Sequence, residues 1–311
     1  MKNHSQQIKE LAIEVGFDAC GITSPKPFLS DRKFLDDWIK NNFHGEMRYM
    51  ENHREKRTDM QLLHEGTKSV VVVLMNYFTN KQQSKEVPYV SKYAFGNDYH
   101  YVVKKRLRQL LERIKSEIAD CDGIAFCDSA PIFERRLAEQ AGLGWIGKNT
   151  QLINPLLGSF CFIGELLLDI ELDYDNPIPN RCGNCDLCIN SCPSKALFSP
   201  HKINATRCIS YQTIEKKGEV DTEIKSLCKN NLFGCDICQN VCPWNKKAMQ
   251  NNTPELQPSE EFLKMTLEDW NNFTRKDYNR LFKNTPIARA GYQKIRNRRD
   301  EILGKIKTPK S

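Results

Sequence analysis

Apolar residues recur at Ile8, Leu11, Ala12 and Val15, the three-and-four spacing that lays one stripe along a helix, so residues 5–15 are predicted helical. Residues 69–75 read SVVVVLM, a short β-branched run that predicts a strand buried on both faces. A long helix is expected over 99–118. Residues 123–127 (GIAFC) predict a short strand ending at Asp128, residues 133–141 (FERRLAEQA) another helix, and residues 160–172 (FCFIGELLLDIEL) a further strand. Strands alternating with helices predict an α/β layer for roughly the first 170 residues.

Turn residues at 175–179 (DNPIP) close that unit, and a polar linker at 251–259 (NNTPELQPS) separates the cysteine-dense stretch from a basic helical one. The expected division is therefore 1–175, 176–250 and 251–311. With 311 residues and 40% hydrophobic content, wholesale disorder is excluded. The longest purely apolar run, Val70 to Met75, falls far short of the ~20 residues of a membrane helix. The start lacks the cationic segment and apolar run of a signal peptide, so the expectation is a cytoplasmic chain off the membrane.

Charge changes this picture only locally. The chain carries +7, but residues 271–311 hold twelve Lys and Arg against three Asp and Glu, a net +9 that leaves −2 elsewhere. Such a stretch suits a polyanion, or it is simply a solvated basic helix. Cysteine changes it more. Thirteen cysteines in a reducing compartment are not a disulfide framework, and nine of them fall between Cys182 and Cys242. That density points to metal. Cys20, Cys121, Cys127 and Cys161 read instead as small buried apolar residues.

The first cysteine motif is Cys182-x2-Cys185-x2-Cys188-x3-Cys192-Pro193, and the second is Cys235-x2-Cys238-x3-Cys242-Pro243. Two-residue gaps let one loop place successive thiolates on corners of a four-iron cluster. In two-cluster ferredoxins the cysteine before the proline serves the other cluster. Cys182, Cys185, Cys188 and Cys242 then hold one cluster. Cys192, Cys235 and Cys238 hold the other, with Cys208 or Cys228 as the fourth ligand. A zinc ribbon also uses paired CxxC knuckles, but the doubled CxxC-x3-CP pattern favours clusters. Two such clusters make an electron relay, so the chemistry lies elsewhere.

Gly142-Leu-Gly144-Trp-Ile-Gly147 matches GxGxxG literally, yet a helix precedes it where a dinucleotide site needs a strand, so nicotinamide is excluded. The turn with Lys148 and Asn149 leaves room for some other cofactor. No Walker motif is present. The cobalamin motif DxHxxG begins at Asp98-Tyr-His100 but has Val103 where glycine is needed.

Asp128-Ser-Ala-Pro131, then ERRLAEQAGLGWIGKN, RCGNCDLCINSCPSKAL, RCISYQT and LFGCDICQNVCPWN, in that order, resemble the epoxyqueuosine reductase family over most of residues 1–250. The resemblance implies an α/β N-terminal cobalamin-binding domain of the reductive-dehalogenase kind. An α+β two-cluster ferredoxin-like domain and a short basic helical tail follow it. It implies reduction of the epoxycyclopentane of epoxyqueuosine in tRNA to the cyclopentene, using base-off cobalamin, two 4Fe-4S clusters and an unidentified electron donor. By the same resemblance Cys208 is the missing ligand, leaving Cys228 structural, and Asp128 is the proton donor. Arg57, Ser91, Asp128, Leu152, Ile163, Ser210 and Asp236 match cobalamin contacts, while Lys217, Arg289 and Arg296 match tRNA contacts. Many members continue into HEAT-like repeats that hold tRNA. The resemblance implies a short form here, with the basic tail docking the tRNA, and nothing in the sequence obliges more than a monomer.

An opening epoxide develops alkoxide charge and must be protonated, which asks for an acid with a pKa near neutrality. Asp128, at the end of an apolar strand, is expected to reach that by burial. Its bland alternative is an N-cap of the next helix. Two other functions compete: a related corrinoid reductase on a small molecule, such as a dehalogenase, and a plain electron-transfer ferredoxin with an accessory domain.

Overall fold

In the computed structural model, which describes residues 3–304, the two most apolar runs become the middle of one sheet. The strands Ser69–Asn76 and Cys161–Leu168 pair antiparallel along their whole length, from Ser69 opposite Leu168 to Asn76 opposite Cys161. Ala19–Thr23 flanks the first and Gly123–Phe126 the second, both antiparallel. The strand expected to run to residue 172 stops at Leu168, where Asp169 turns the chain and accepts the Asp122 N–H at 2.8 Å.

Helices cover both faces, which is why the middle strands are apolar on both sides apart from Glu165 and the strand ends. Val71, Val73, Met75, Phe162, Leu166 and Leu168 meet the helices His4–Glu14 and Tyr99–Glu117. Val70, Val72, Leu74, Ile163 and Leu167 meet the helix Glu134–Gln140. Glu165 shares the side of its strand that carries Ile163 and Leu167, and it is fully buried.

The cysteine-rich stretch is built from short pieces. The helices Leu187–Asn190 and Ile237–Asn240 each begin inside a cysteine motif and pack together. Asn231–Phe233 pairs in parallel with Tyr89–Val90 and ties this stretch to the N-terminal layer.

Beyond it, the segment expected as a basic tail is a folded part of the body. Capping boxes start the helices Leu267–Asn271 (Thr266 with Asp269) and Arg275–Phe282 (Thr274 with Asp277). Trp270, Phe273, Phe282, Ile287 and Ile295 form one core with Val90, Phe95, Leu232 and Phe233. Several of its cations are internal. Arg298 is 7% exposed and donates to the carbonyls of Asn231 (3.0 Å) and Lys229 (3.2 Å). Arg299 donates to the Phe273 carbonyl, and Lys294 to those of Ile214 and Lys216. The +9 read from sequence therefore overstates the free charge, because composition does not distinguish a pinned cation from a solvated one. Lys305, Lys307 and Lys310 lie outside the described residues. Among the described residues no helix is long and apolar enough to cross a membrane.

Candidate active site

A cavity of about 540 Å³ separates two chemically different walls. One wall is Tyr99, Asp128, Glu134 and Arg289; the other carries Cys192, Cys208, Cys235 and Cys238. Phe162, Ile163, Ile209 and Phe233 supply apolar surface between them.

The helix Tyr99–Glu117 builds the first wall. Asp98 caps it, accepting the His100 N–H at 3.1 Å, and the same carboxylate lies 2.6 Å from His100 Nδ1. The cap thereby orients the ring, whose Nε2 lies 3.1 Å from Asp128 Oδ2. The Tyr99 hydroxyl donates to that same oxygen. Tyr99 is held flat between Phe162 (centroids 4.1 Å apart, 3° between planes) and His100 (4.1 Å). Asp128 sits at φ +56°, the left-handed region that an aspartate tolerates better than most residues. Lys104 steadies its loop by donating to Ser129 at 2.6 Å.

Asp128 does not carry the neutral carboxyl expected from sequence. Desolvation in its recess pushes its pKa up, but hydrogen bonds from His100 and Tyr99 and the charges of His100 and Arg289 outweigh that and hold it low. Its side chain is 49% exposed on the cavity side, which weakens the desolvation further. His100 moves the other way. Burial lowers it, and the bonds to Asp128 and Asp98 then raise it to about 9. At neutral pH the pair is imidazolium and carboxylate sharing one proton. Nor does Asp128 cap a helix, since Phe133 occupies the N-cap of Glu134–Gln140.

The thiols fall into two groups, and all are free. Burial, then the charges of Cys242 and Cys182, raises Cys188; burial and the neighbouring Cys182 and Cys185 raise Cys242. Burial, then Cys235, Cys208 and Cys192, raises Cys238. The sets 182/185/188/242 and 192/208/235/238 are thus spatial neighbours, with the second against the cavity. Cys228 is buried beside them in an apolar cluster with Ile209, Val220 and Ile224, and it does not line the cavity.

The comparisons agree with this geometry. Residues 57–129 match the family model described as Epoxyqueuosine reductase QueG, DUF1730, and residues 181–245 match the 4Fe-4S double cluster binding domain. The chain is 44% identical to an epoxyqueuosine reductase of Leadbetterella byssophila, over 93% of this chain and 95% of that one. The chain belongs to the epoxyqueuosine reductase family. It is accordingly an oxidoreductase with a double-cluster 4Fe-4S domain. It is also 37% identical to the Escherichia coli epoxyqueuosine reductase, over 93% of this chain and 77% of that one. Its fold matches a crystal structure of epoxyqueuosine reductase with an epoxyqueuosine-modified tRNA-Tyr stem loop. There the TM-score is 0.88 and the identity 29%, over 96% of this chain and 80% of that one.

The residues expected to form this reductase's site are not all together. Ser91, Asp128, Ile163, Ser210, Asp236 and Arg289 line the cavity, whereas Arg57, Leu152, Lys217 and Arg296 do not. Asp236 is occupied internally: it accepts from Ser91, from Tyr89 (2.8 Å) and from the Lys92 N–H (2.8 Å). Leu152 belongs to the core beneath the helix Glu134–Gln140. Arg57 is buried, donating to the Tyr49 carbonyl at 2.7 Å and leaving its Nε without a partner. Lys217 and Arg296 are exposed.

Four cavity or wall residues were not singled out from the sequence as site residues: Tyr99, His100, Glu134 and Cys161. His100 had a signal, the Asp98-Tyr-His100 fragment, which fails as a cobalamin motif but caps the helix and sets the ring against Asp128. Cys161, expected to be an inert core thiol, lines the cavity. Asn149 lines it too, 2% exposed and with its Nδ2 unpartnered. The glycine turn beside it is structural, Gly142 ending the helix at φ +72°.

Proposed function

We propose that the chain reduces the epoxide of epoxyqueuosine in a tRNA anticodon stem loop to the alkene, releasing water. Two 4Fe-4S clusters held by the cysteines of residues 182–242, and cobalamin held in the cavity, would supply the electrons from an external donor. One observation carries this reading: a proton-holding group, Asp128 with His100, faces the cysteines of the inner cluster across a cavity large enough for an organic cofactor. The volume lies in the range of such sites. Asn149 offers a buried, unused amide donor to a cofactor's polar rim.

Cys192, Cys208, Cys235 and Cys238 would hold the inner cluster, and Cys182, Cys185, Cys188 and Cys242 the outer one. Cobalamin, with Ser210, Asn149 and Ile163 around it, would supply electrons at low potential next to the substrate. The protein supplies the proton. As the epoxide opens, negative charge grows on its oxygen. Asp128, presented to the cavity with Tyr99 bonded to the same carboxylate oxygen, passes on the proton it shares with His100. The spent imidazole is then caught. Its Nε2 lies 3.1 Å from Arg289 Nη1, and once deprotonated it accepts from the guanidinium. Arg289 stands at the cavity wall, where it also meets the charge of an incoming phosphate, with Lys217 and Arg296 farther out.

Two binding measurements test this reading. Cobalamin titrated into cluster-loaded protein should bind stoichiometrically by its absorption spectrum, and Asn149→Leu should weaken it. A tRNA stem loop should bind with an affinity that falls steeply with salt. Failure to bind cobalamin would overturn the proposal.

A further inference from the structure

Turning an epoxide into an alkene consumes two electrons and two protons: both C–O bonds break, a C=C bond forms, and the oxygen leaves as water. The Asp128–His100 pair holds one of those protons. Behind it lies a second acid system. Glu134 lines the cavity, and its Oε1 accepts the Asp128 backbone N–H. Glu165 lies on the adjoining strand, under the helix that Glu134 begins. It is fully buried, and neither carboxyl oxygen has a hydrogen-bond partner. Its cross-strand neighbours are Val72 and Phe126.

Nothing in the packing calls for an acid at residue 165. An ionised carboxylate there would have no compensation, so the group is held as the neutral acid. We propose that Glu134 delivers the second proton into the cavity, with Glu165 held behind it as a second, neutral acid. This rests on the epoxide-reducing reading of the site.

The electrostatics agree with the placement. Burial, then the charge of Asp128, raises Glu134 to about 8, against the lowering effects of the Asp128 N–H, Arg135 and His100. Burial, then the charges of Glu134 and Asp128, raises Glu165. Three carboxyls so close do not all ionise, and Asp128 is the one that does, because only it has His100, Tyr99 and Arg289 on it. Glu134 sits in the first turn of its helix, which favours the anion, and burial beside Asp128 overrides that.

Glu134→Gln and Glu165→Gln test the idea, since glutamine keeps the shape and the acceptor for the Asp128 N–H. Infrared spectra of the cluster-loaded protein should show two un-ionised carboxylic acids at neutral pH, each variant lacking one, with the Glu134 band titrating away near pH 8. In anaerobic turnover of epoxyqueuosine tRNA by the reduced holoenzyme, E134Q should slow the reaction about a hundredfold at neutral pH and abolish the fall in rate near pH 8. Absence of the neutral-acid bands, or an E134Q rate and pH profile matching the wild type, would overturn the inference. Conversion by the wild type is scored first: if it makes no alkene, the reading of the function fails as well.

Discussion

His100 places Nε2 3.1 Å from Asp128 Oδ2, and that contact makes the pair, rather than the carboxyl alone, the holder of the proton. An isolated carboxyl in a dry pocket would rise toward neutrality. Here the neighbouring imidazole, itself braced by Asp98 at 2.6 Å, takes the proton and leaves Asp128 as its outlet. Asp128→Asn removes the outlet while preserving shape. Turnover should fall by two to four orders of magnitude, roughly the contribution of a positioned acid, with iron content unchanged. His100→Gln should give a similar loss.

The same pair sets a pH dependence of stability. His100 is raised to about 9 in the folded chain from its ordinary value near 6.5. Its contribution is therefore fully present below about 6.5 and is lost as pH rises through about 9. Denaturant unfolding at a series of pH values should show stability declining across that window. Asp98→Asn, which removes one brace, should move the decline to lower pH.

Cys208 and Cys228 lie near each other, yet only Cys208 is grouped with the inner-cluster thiols. Cys208→Ser should cost one cluster, so iron and sulfide per chain should drop by about half. Cys228→Ser sits in an apolar pocket and should keep both clusters with a modest loss of stability. The reverse pattern would assign the ligand to Cys228.

Arg298 and Arg296 stand two residues apart on one helix and should behave differently. Arg298→Ala leaves the Asn231 and Lys229 carbonyls without their donor and should destabilise the fold by about 2 kcal/mol. Arg296 is exposed. Its replacement by Ala should leave stability nearly unchanged and reduce the salt dependence of tRNA binding by about one counterion.

Much of the fold was legible because its signals are local. The runs at 69–75 and 160–172, the helix from residue 99 and the cysteine spacings each declare themselves within a dozen residues. The second cluster's ligand set was less so, since residue spacing left Cys208 and Cys228 equal and only resemblance separated them. The proton chemistry was the least legible. Asp98, His100, Asp128, Glu134 and Glu165 come from a cap, a strand end, a helix start and a strand middle, and their pKa values depend on which of them touch. The sequence displayed each carboxyl, but not the imidazole that lowers one or the burial that raises the others. The basic stretch misled for a similar reason: Arg298, Arg299 and Lys294 spend their charge on carbonyls of neighbouring segments.

The central claim is that electrons cross the cavity to an epoxide that Asp128 and His100 protonate. The most direct measurement is anaerobic turnover of epoxyqueuosine tRNA by cluster-loaded protein and a strong reductant, with and without cobalamin, followed by mass analysis of the digested nucleosides. The account predicts loss of one oxygen from the modified nucleoside only when cobalamin is present, slowed by about two to four orders of magnitude with Asp128→Asn. Conversion without cobalamin, or unimpaired conversion by the Asp128 variant, would contradict it.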